Sequence, residues 1–143
     1  VIISLRTSFD PAEVGELYDS VGWSAYTRDL AKLVRSLTGS PLVITARDES
    51  GELLGLARTV SDDETVCYVQ DLLVRPAAQR PGIGRALLQH LDERYPHCRS
   101  FLLTTDRGST EDGRKSRAFY RTFELISPEE QELAVFVKPI HRR

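Results

Sequence analysis

Apolar residues fall along this chain in two rhythms, one near every three to four positions and one that is alternating or continuous. The helical rhythm comes first at Val14, Leu17, Tyr18 and Val21, behind a start signal at Asp10-Pro11-Ala12-Glu13. Asp suits the N-cap, Pro the first helical turn and Glu the position that bonds back, so a helix is predicted from 11 until Gly22 stops it. Leu30, Leu33, Val34 and Leu37 set a second amphipathic helix that ends near Gly39. The strand rhythm governs 1–5 and then a meander over 42–47, 53–60 and 65–74, with turns at 49–51 and 61–63. A loop at 76–81 precedes a third amphipathic helix carrying Ile83, Leu87, Leu88 and Leu91. The apolar start of 101–105 predicts a buried central strand, and the polar stretch 106–115 a mobile loop. Ala118, Phe119 and Phe123 suggest a short helix, and 133–137 a closing strand. Strands and helices in this order describe a mixed α+β fold built on one central sheet.

Composition narrows the class. With 143 residues and 41% hydrophobic content, the chain suits a single domain over 1–143. A net charge of -2 argues against a nucleic-acid partner, which would call for a basic stripe. No apolar run has the length of a membrane span and no signal-peptide pattern opens the chain, so a cytoplasmic protein without membrane association is expected. Cys67 and Cys98 lack CxxC spacing, and His90, His97 and His141 lack ligand spacing, so reduced thiols and no metal are expected.

Chemistry concentrates at Val69-Gln70-Asp71-Leu72-Leu73-Val74-Arg75-Pro76 and the following Gln79-Arg80-Pro81-Gly82-Ile83-Gly84-Arg85. A strand enters a loop whose glycines open a helix. The first amides of a helix have no internal partner and sit at its positive end, and glycine lets a ligand approach the backbone. Arg80 and Arg85 add charge matched to phosphate oxygens. Spacing alone leaves this loop readable as an anion site or as a plain turn and helix start. It is a poor P-loop, having no Gly-Lys-Ser/Thr, and a poor dinucleotide fingerprint, having Leu87 where a third glycine belongs.

Gln79-x-x-Gly82-x-Gly84, after a strand ending Leu73-Val74-x-Pro76, resembles motif A of the GNAT acyltransferases, and the order of elements resembles theirs over nearly the whole chain. The resemblance implies a GNAT fold, a mostly antiparallel sheet of six to seven strands flanked by about four helices. It implies acetyl-coenzyme A as cofactor, with Leu72, Leu73 and Val74 contacting its pantetheine arm and 79–85 its pyrophosphate. It implies direct acetyl transfer to a primary amine in a ternary complex, a small-molecule amine being favoured over a protein, and it allows a homodimer. A backbone N–H at or beside Val74 would stabilise the oxyanion.

Four further positions complete the candidate site. Ala118-Phe119-Tyr120 matches the family's Ala-x-Tyr helix and implies Tyr120 as general acid, although Glu124 and Leu125 stand where Gly-Phe is usual and Gly113 near a usual Asn. Asp71, an acid inside an apolar strand, reads either as general base or as a structural partner, since a buried carboxylate must be paired. Alternation places it beside Val69 and Leu73 unless the strand bulges. Trp23 and Tyr26 would line the acceptor pocket, or simply fill core between helix and sheet. Two other readings remain open: an acyl-CoA-binding module without turnover, and a nucleotide-binding protein.

Overall fold

The computed structural model describes residues 1–79, 82–105 and 111–139, and for Asp112 the backbone only. It divides into two compact units, Val1–Leu103 and Thr104–Arg143.

In the first unit β1 (Ile2–Leu5), β2 (Leu42–Arg47), β3 (Leu53–Ser61), β4 (Val66–Val74) and β5 (Ser100–Leu103) form one sheet in chain order. The first four strands run antiparallel, and β5 joins β4 in parallel. Two bulges shape the meander. Leu54 is the extra residue between Ala46↔Gly55 and Arg47↔Leu53, and Gln70 the extra residue between Arg58↔Asp71 and Thr59↔Val69. Each bulge bends its strand and re-aims the side chains beyond it.

Helices α1 (Pro11–Ser20), α2 (Ser24–Thr27) and α3 (Leu30–Thr38) cover one face. As the sequence predicts, Asp10 caps α1, its carboxylate accepting from the Ala12 amide, with Pro11 in the first turn. Gly22 follows α1 at φ 79°, a left-handed conformation suited to glycine. The apolar stripes of α1 and α3 meet Val43, Leu53, Leu56 and Leu73 in one core with Val14, Leu17, Tyr18, Leu33 and Leu37. Each such leucine contributes about 2 kcal/mol by leaving water. Helix α4 (Ile83–Arg94) crosses the other face over β2, β3 and β4. It comes so close at Gly55 that a Cβ there would lie 3.2 Å from Leu87 and 3.3 Å from Ile83.

The second unit holds α5 (Glu111–Arg121) and a 3-10 turn at Pro128–Gln131. The turn is tied by a Ser127/Glu130 capping box, and Glu130 also binds Arg121.

Four expectations need correction. Among the described residues the sheet has five strands rather than six to seven; the helices number five, close to the expected four, the short α2 at Ser24–Thr27 being the addition. The 133–137 segment joins no strand among the described residues: it has no regular secondary structure, and Leu133, Val135, Phe136 and Val137 are exposed, Phe136 at 95%. Strand β5 is an end strand with alternating exposure, not a buried central one. Residues 111–115 belong to α5 instead of a loop, favoured by an i,i+4 pair of Glu111 with Lys115; 106–110 lie outside the described residues.

Candidate acyl-donor and acceptor site

Strand β4 changes character at Gln70. Before it, Val66 to Val69 pair with β5 on one side and Cys67 to Val69 with β3 on the other; after it, among the described residues, the β5 pairing has ended and only β3 remains. The direction of the freed backbone groups follows from the ladder. The Arg75 amide bonds Leu54 O at 2.8 Å, and the Leu73 carbonyl lies against Gly55. Since successive strand residues turn their amides and carbonyls to opposite sides, Leu73 faces β3 while Leu72 and Val74 face the open edge. One of these groups is taken: the Gln79 side-chain amide donates to the Val74 carbonyl at 3.1 Å. Gln79 thus ties the loop back onto the strand that leads into it.

Arg75 fixes the same strand end from the other direction. Its Nε donates to Leu53 O at 2.9 Å and its Nη1 pairs with Glu16 on α1. The chain then makes a 3-10 turn at Pro76–Ala78 and enters α4 through Gly82, whose φ of 82° is left-handed. Ala86 makes the first intrahelical bond, to Gly82 O. The glycine cap has no side chain to offer the first amides of the helix. A Cβ at Gly82 would meet nothing within 4 Å, so the approach is open. Arg80 and Pro81 lie outside the described residues. An open strand edge running into an uncapped helix start fits a long donor with amide groups at one end and phosphates at the other.

The Gln70 bulge also turns Asp71 away from the face of Val69, correcting the simple alternation. Val69 pairs with Thr59, whose hydroxyl lies 3.3 Å from that of Tyr95 just after α4; Asp71 pairs with Arg58 on the α1–α3 face. Asp71 is 2% exposed and fully engaged. Oδ2 accepts from Tyr18 Oη at 2.8 Å and Arg58 Nε at 2.7 Å, and Oδ1 from Tyr26 Oη at 2.7 Å. Gln70 Nε2 donates in turn to Tyr26 Oη at 3.2 Å. Burial and the Asp71 charge push the Tyr18 phenol well above its usual range, and burial with the Asp71 hydrogen bond raises that of Tyr26, so both stay protonated. Burial would lower Arg58, but the Asp71 charge and hydrogen bond outweigh it and raise it.

Trp23 and Tyr26 are half-buried against the α1–α3 core, with ring centroids 6.2 Å apart, and both rings meet Tyr18 edge-on. They sit where the sequence places an acceptor pocket, yet each also fills core. Tyr120 lies on α5 in the second unit, half-buried, its ring 5.3 Å from Phe119; burial raises its phenol. A concavity of about 440 Å³ on α5 is lined by Arg114, Arg117, Ala118 and Arg121, and by none of the site residues expected from sequence. Burial pushes the Cys67 thiol up to about 12, which makes it a poor nucleophile.

Sequence reasoning missed Arg58, Tyr18 and Gln70 as members of this network. Two signals for it lie in the sequence: Asp71 itself, since an acid in an apolar strand requires a partner, and the aromatic residues Tyr18, Trp23 and Tyr26 close together.

Comparison with known proteins agrees with this architecture. A GNAT-family acetyltransferase of Streptococcus pneumoniae TIGR4 superposes with a TM-score of 0.81 at 27% identity, covering 99% of this chain and 98% of its own. The histone acetyltransferase TAP1 of Glycine max is 32% identical over 101 residues, 64% of this chain and 43% of that protein. The peptidyl-lysine N-acetyltransferase YiaC of Escherichia coli K12 is 33% identical over 72 residues, 50% of this chain and 47% of that protein. The chain spans about half the length of the curated relatives it matches. Residues 5–124 match the acetyltransferase (GNAT) family, and the chain therefore belongs to that family.

Proposed function

We propose that the chain is an acetyl-CoA-dependent N-acetyltransferase that moves the acetyl group to a primary amine by direct transfer in a ternary complex. The observation that carries this is the open edge of β4 leading into the uncapped start of α4. Leu72 would bond the pantetheine arm, the Val74 amide would face the thioester carbonyl, and the start of α4 would hold the pyrophosphate, with Gln79 holding the loop in place. Arg80, Pro81 and Arg85 stay in this reading as further donor contacts.

Acetyl-CoA supplies an activated thioester. The amine nitrogen forms a C–N bond to its carbonyl carbon, the C–S bond breaks, the nitrogen loses a proton and the thiolate gains one. Negative charge gathers on the carbonyl oxygen meanwhile, and the Val74 amide, facing the open edge, is suited to stabilise it. Tyr120 is the proposed proton donor; its raised phenol pKa keeps it protonated through the neutral range. Asp71 has two proposed roles, base or partner, and its three bonds to side chains favour partner.

The exposed portions of Trp23 and Tyr26 support a small-molecule amine with apolar or aromatic character. The relatives named for histone and peptidyl-lysine substrates support a second acceptor, a lysine side chain, which presents the same primary amine. Calorimetry with acetyl-CoA, CoA and NAD, followed by free-thiol release against polyamines, arylalkylamines, amino acids and lysine peptides, tests both. Binding of CoA and amine-dependent thiol release are expected. Tight NAD binding without CoA binding would overturn the proposal, and CoA binding without release by any amine would leave a binding module. Tyr120→Phe is expected to lower kcat about 100-fold, as loss of a general acid does, with CoA affinity unchanged; collapse of CoA affinity would give Tyr120 a structural role.

A further inference from the structure

At the Gln70 bulge the Tyr26 hydroxyl has a fixed polarity. Its single proton goes to Asp71 Oδ1 at 2.7 Å, so its oxygen has only lone pairs left for any other neighbour. The carboxylate cannot swing away, because Oδ2 is held by Tyr18 on α1 and Arg58 on β3. On the remaining side the Tyr26 oxygen accepts from Gln70 Nε2, a longer bond of 3.2 Å from an exposed side chain. Gln70 is the bulge residue, has no partner on β3, and lies just before the edge residues Leu72 and Val74.

We propose, on the reading of β4 as the acyl-donor edge, that Tyr26 Oη is the hydrogen-bond acceptor that orients the incoming amine, one N–H of the substrate taking the place now held by the Gln70 amide. Asp71 is then a positioning residue: it points the Tyr26 hydroxyl proton inward and so keeps an acceptor facing outward. The arrangement selects an acceptor nitrogen that still carries an N–H, and it sets that nitrogen beside the freed backbone of β4. It differs from cation–π recognition by the neighbouring rings, which is indifferent to N–H bonds and favours quaternary ammonium equally well.

The probes are n-butylamine and butyltrimethylammonium, titrated by calorimetry into the protein saturated with CoA. The wild type is expected to favour butylamine by about tenfold, the scale of one hydrogen bond to a charged donor. Tyr26→Phe is expected to lose that preference while its CoA affinity stays close to wild type and its melting temperature falls by only a few degrees, the loss of one donor to Asp71. Gln70→Ala, which removes the competing donor, is expected to strengthen butylamine binding. An unchanged preference in Tyr26→Phe, weaker butylamine binding in Gln70→Ala, or no butylamine binding by the CoA-loaded wild type each overturns the inference. Absence of CoA binding would instead overturn the acyl-donor reading beneath it.

Discussion

Asp71 joins three elements through three hydrogen bonds, to Tyr18 on α1, Tyr26 on α2 and Arg58 on β3. Because the group is buried, its value lies less in the attraction than in what its loss would strand. Asp71→Asn should leave the Arg58 guanidinium without a counter-charge and destabilise the fold by about 3 kcal/mol. Tyr18→Phe, which removes one donor and leaves the ion pair, should cost about 1 kcal/mol. Urea denaturation measures both, and an Asp71→Asn variant as stable as wild type would deny the network its structural role. Part of this centre is legible in sequence: a carboxylate in an apolar strand, and an unusual density of aromatic residues at 18–26. Arg58 is not legible, because its pairing with Asp71 depends on the extra residue at Gln70, and no local spacing reveals a bulge.

At the scale of elements, the parts with a clear period are the parts the sequence describes well. The residues of β2 agree with the expected 42–47, and α1, α3 and α4 begin and end close to their Asp, Gly and apolar signals. The misses lie where period is short or absent. The apolar run at 133–137 has strand composition, but a strand requires a partner that composition does not supply. Charged residues at 111–115 resemble a loop until their i,i+4 pairing is seen. Contact between α4 and β3 depends on a missing side chain at Gly55, where a Cβ would also lie 3.0 Å from the Leu73 carbonyl. Gly55→Val should therefore push α4 off the sheet and cost about 2 kcal/mol, read as a lower denaturation midpoint. Glu13 ties α1 to β2 through two bonds to Arg47, and the hydrogen bond and charge of Arg47 hold its carboxyl below the usual range. A lowered carboxyl stabilises the fold above its unfolded pKa, near 4.3, and that contribution fades as pH falls through the folded value. Since the pair is partly solvated, Glu13→Gln should cost under about 1 kcal/mol at pH 7. The gap to wild type should close in acid; a gap that persists at pH 2 would refute the pairing.

At the largest scale, the proposed chemistry lies where the sheet of the first unit stops pairing. Strand β5 pairs with β4 as far as Val69, the bulge follows at Gln70, and the strand then runs with one free side toward the start of α4. The loop sequence alone specifies no more than an anion site; in the proposed function the free strand edge would supply the second half of a coenzyme A cradle. Amide hydrogen exchange on addition of CoA tests that claim most directly. The account predicts slowed exchange at Leu72 and Val74 and at 83–85, with Leu73, already bonded toward β3, changed little. Tight CoA binding that leaves the amides of 72, 74 and 83–85 exchanging as fast as before would contradict it.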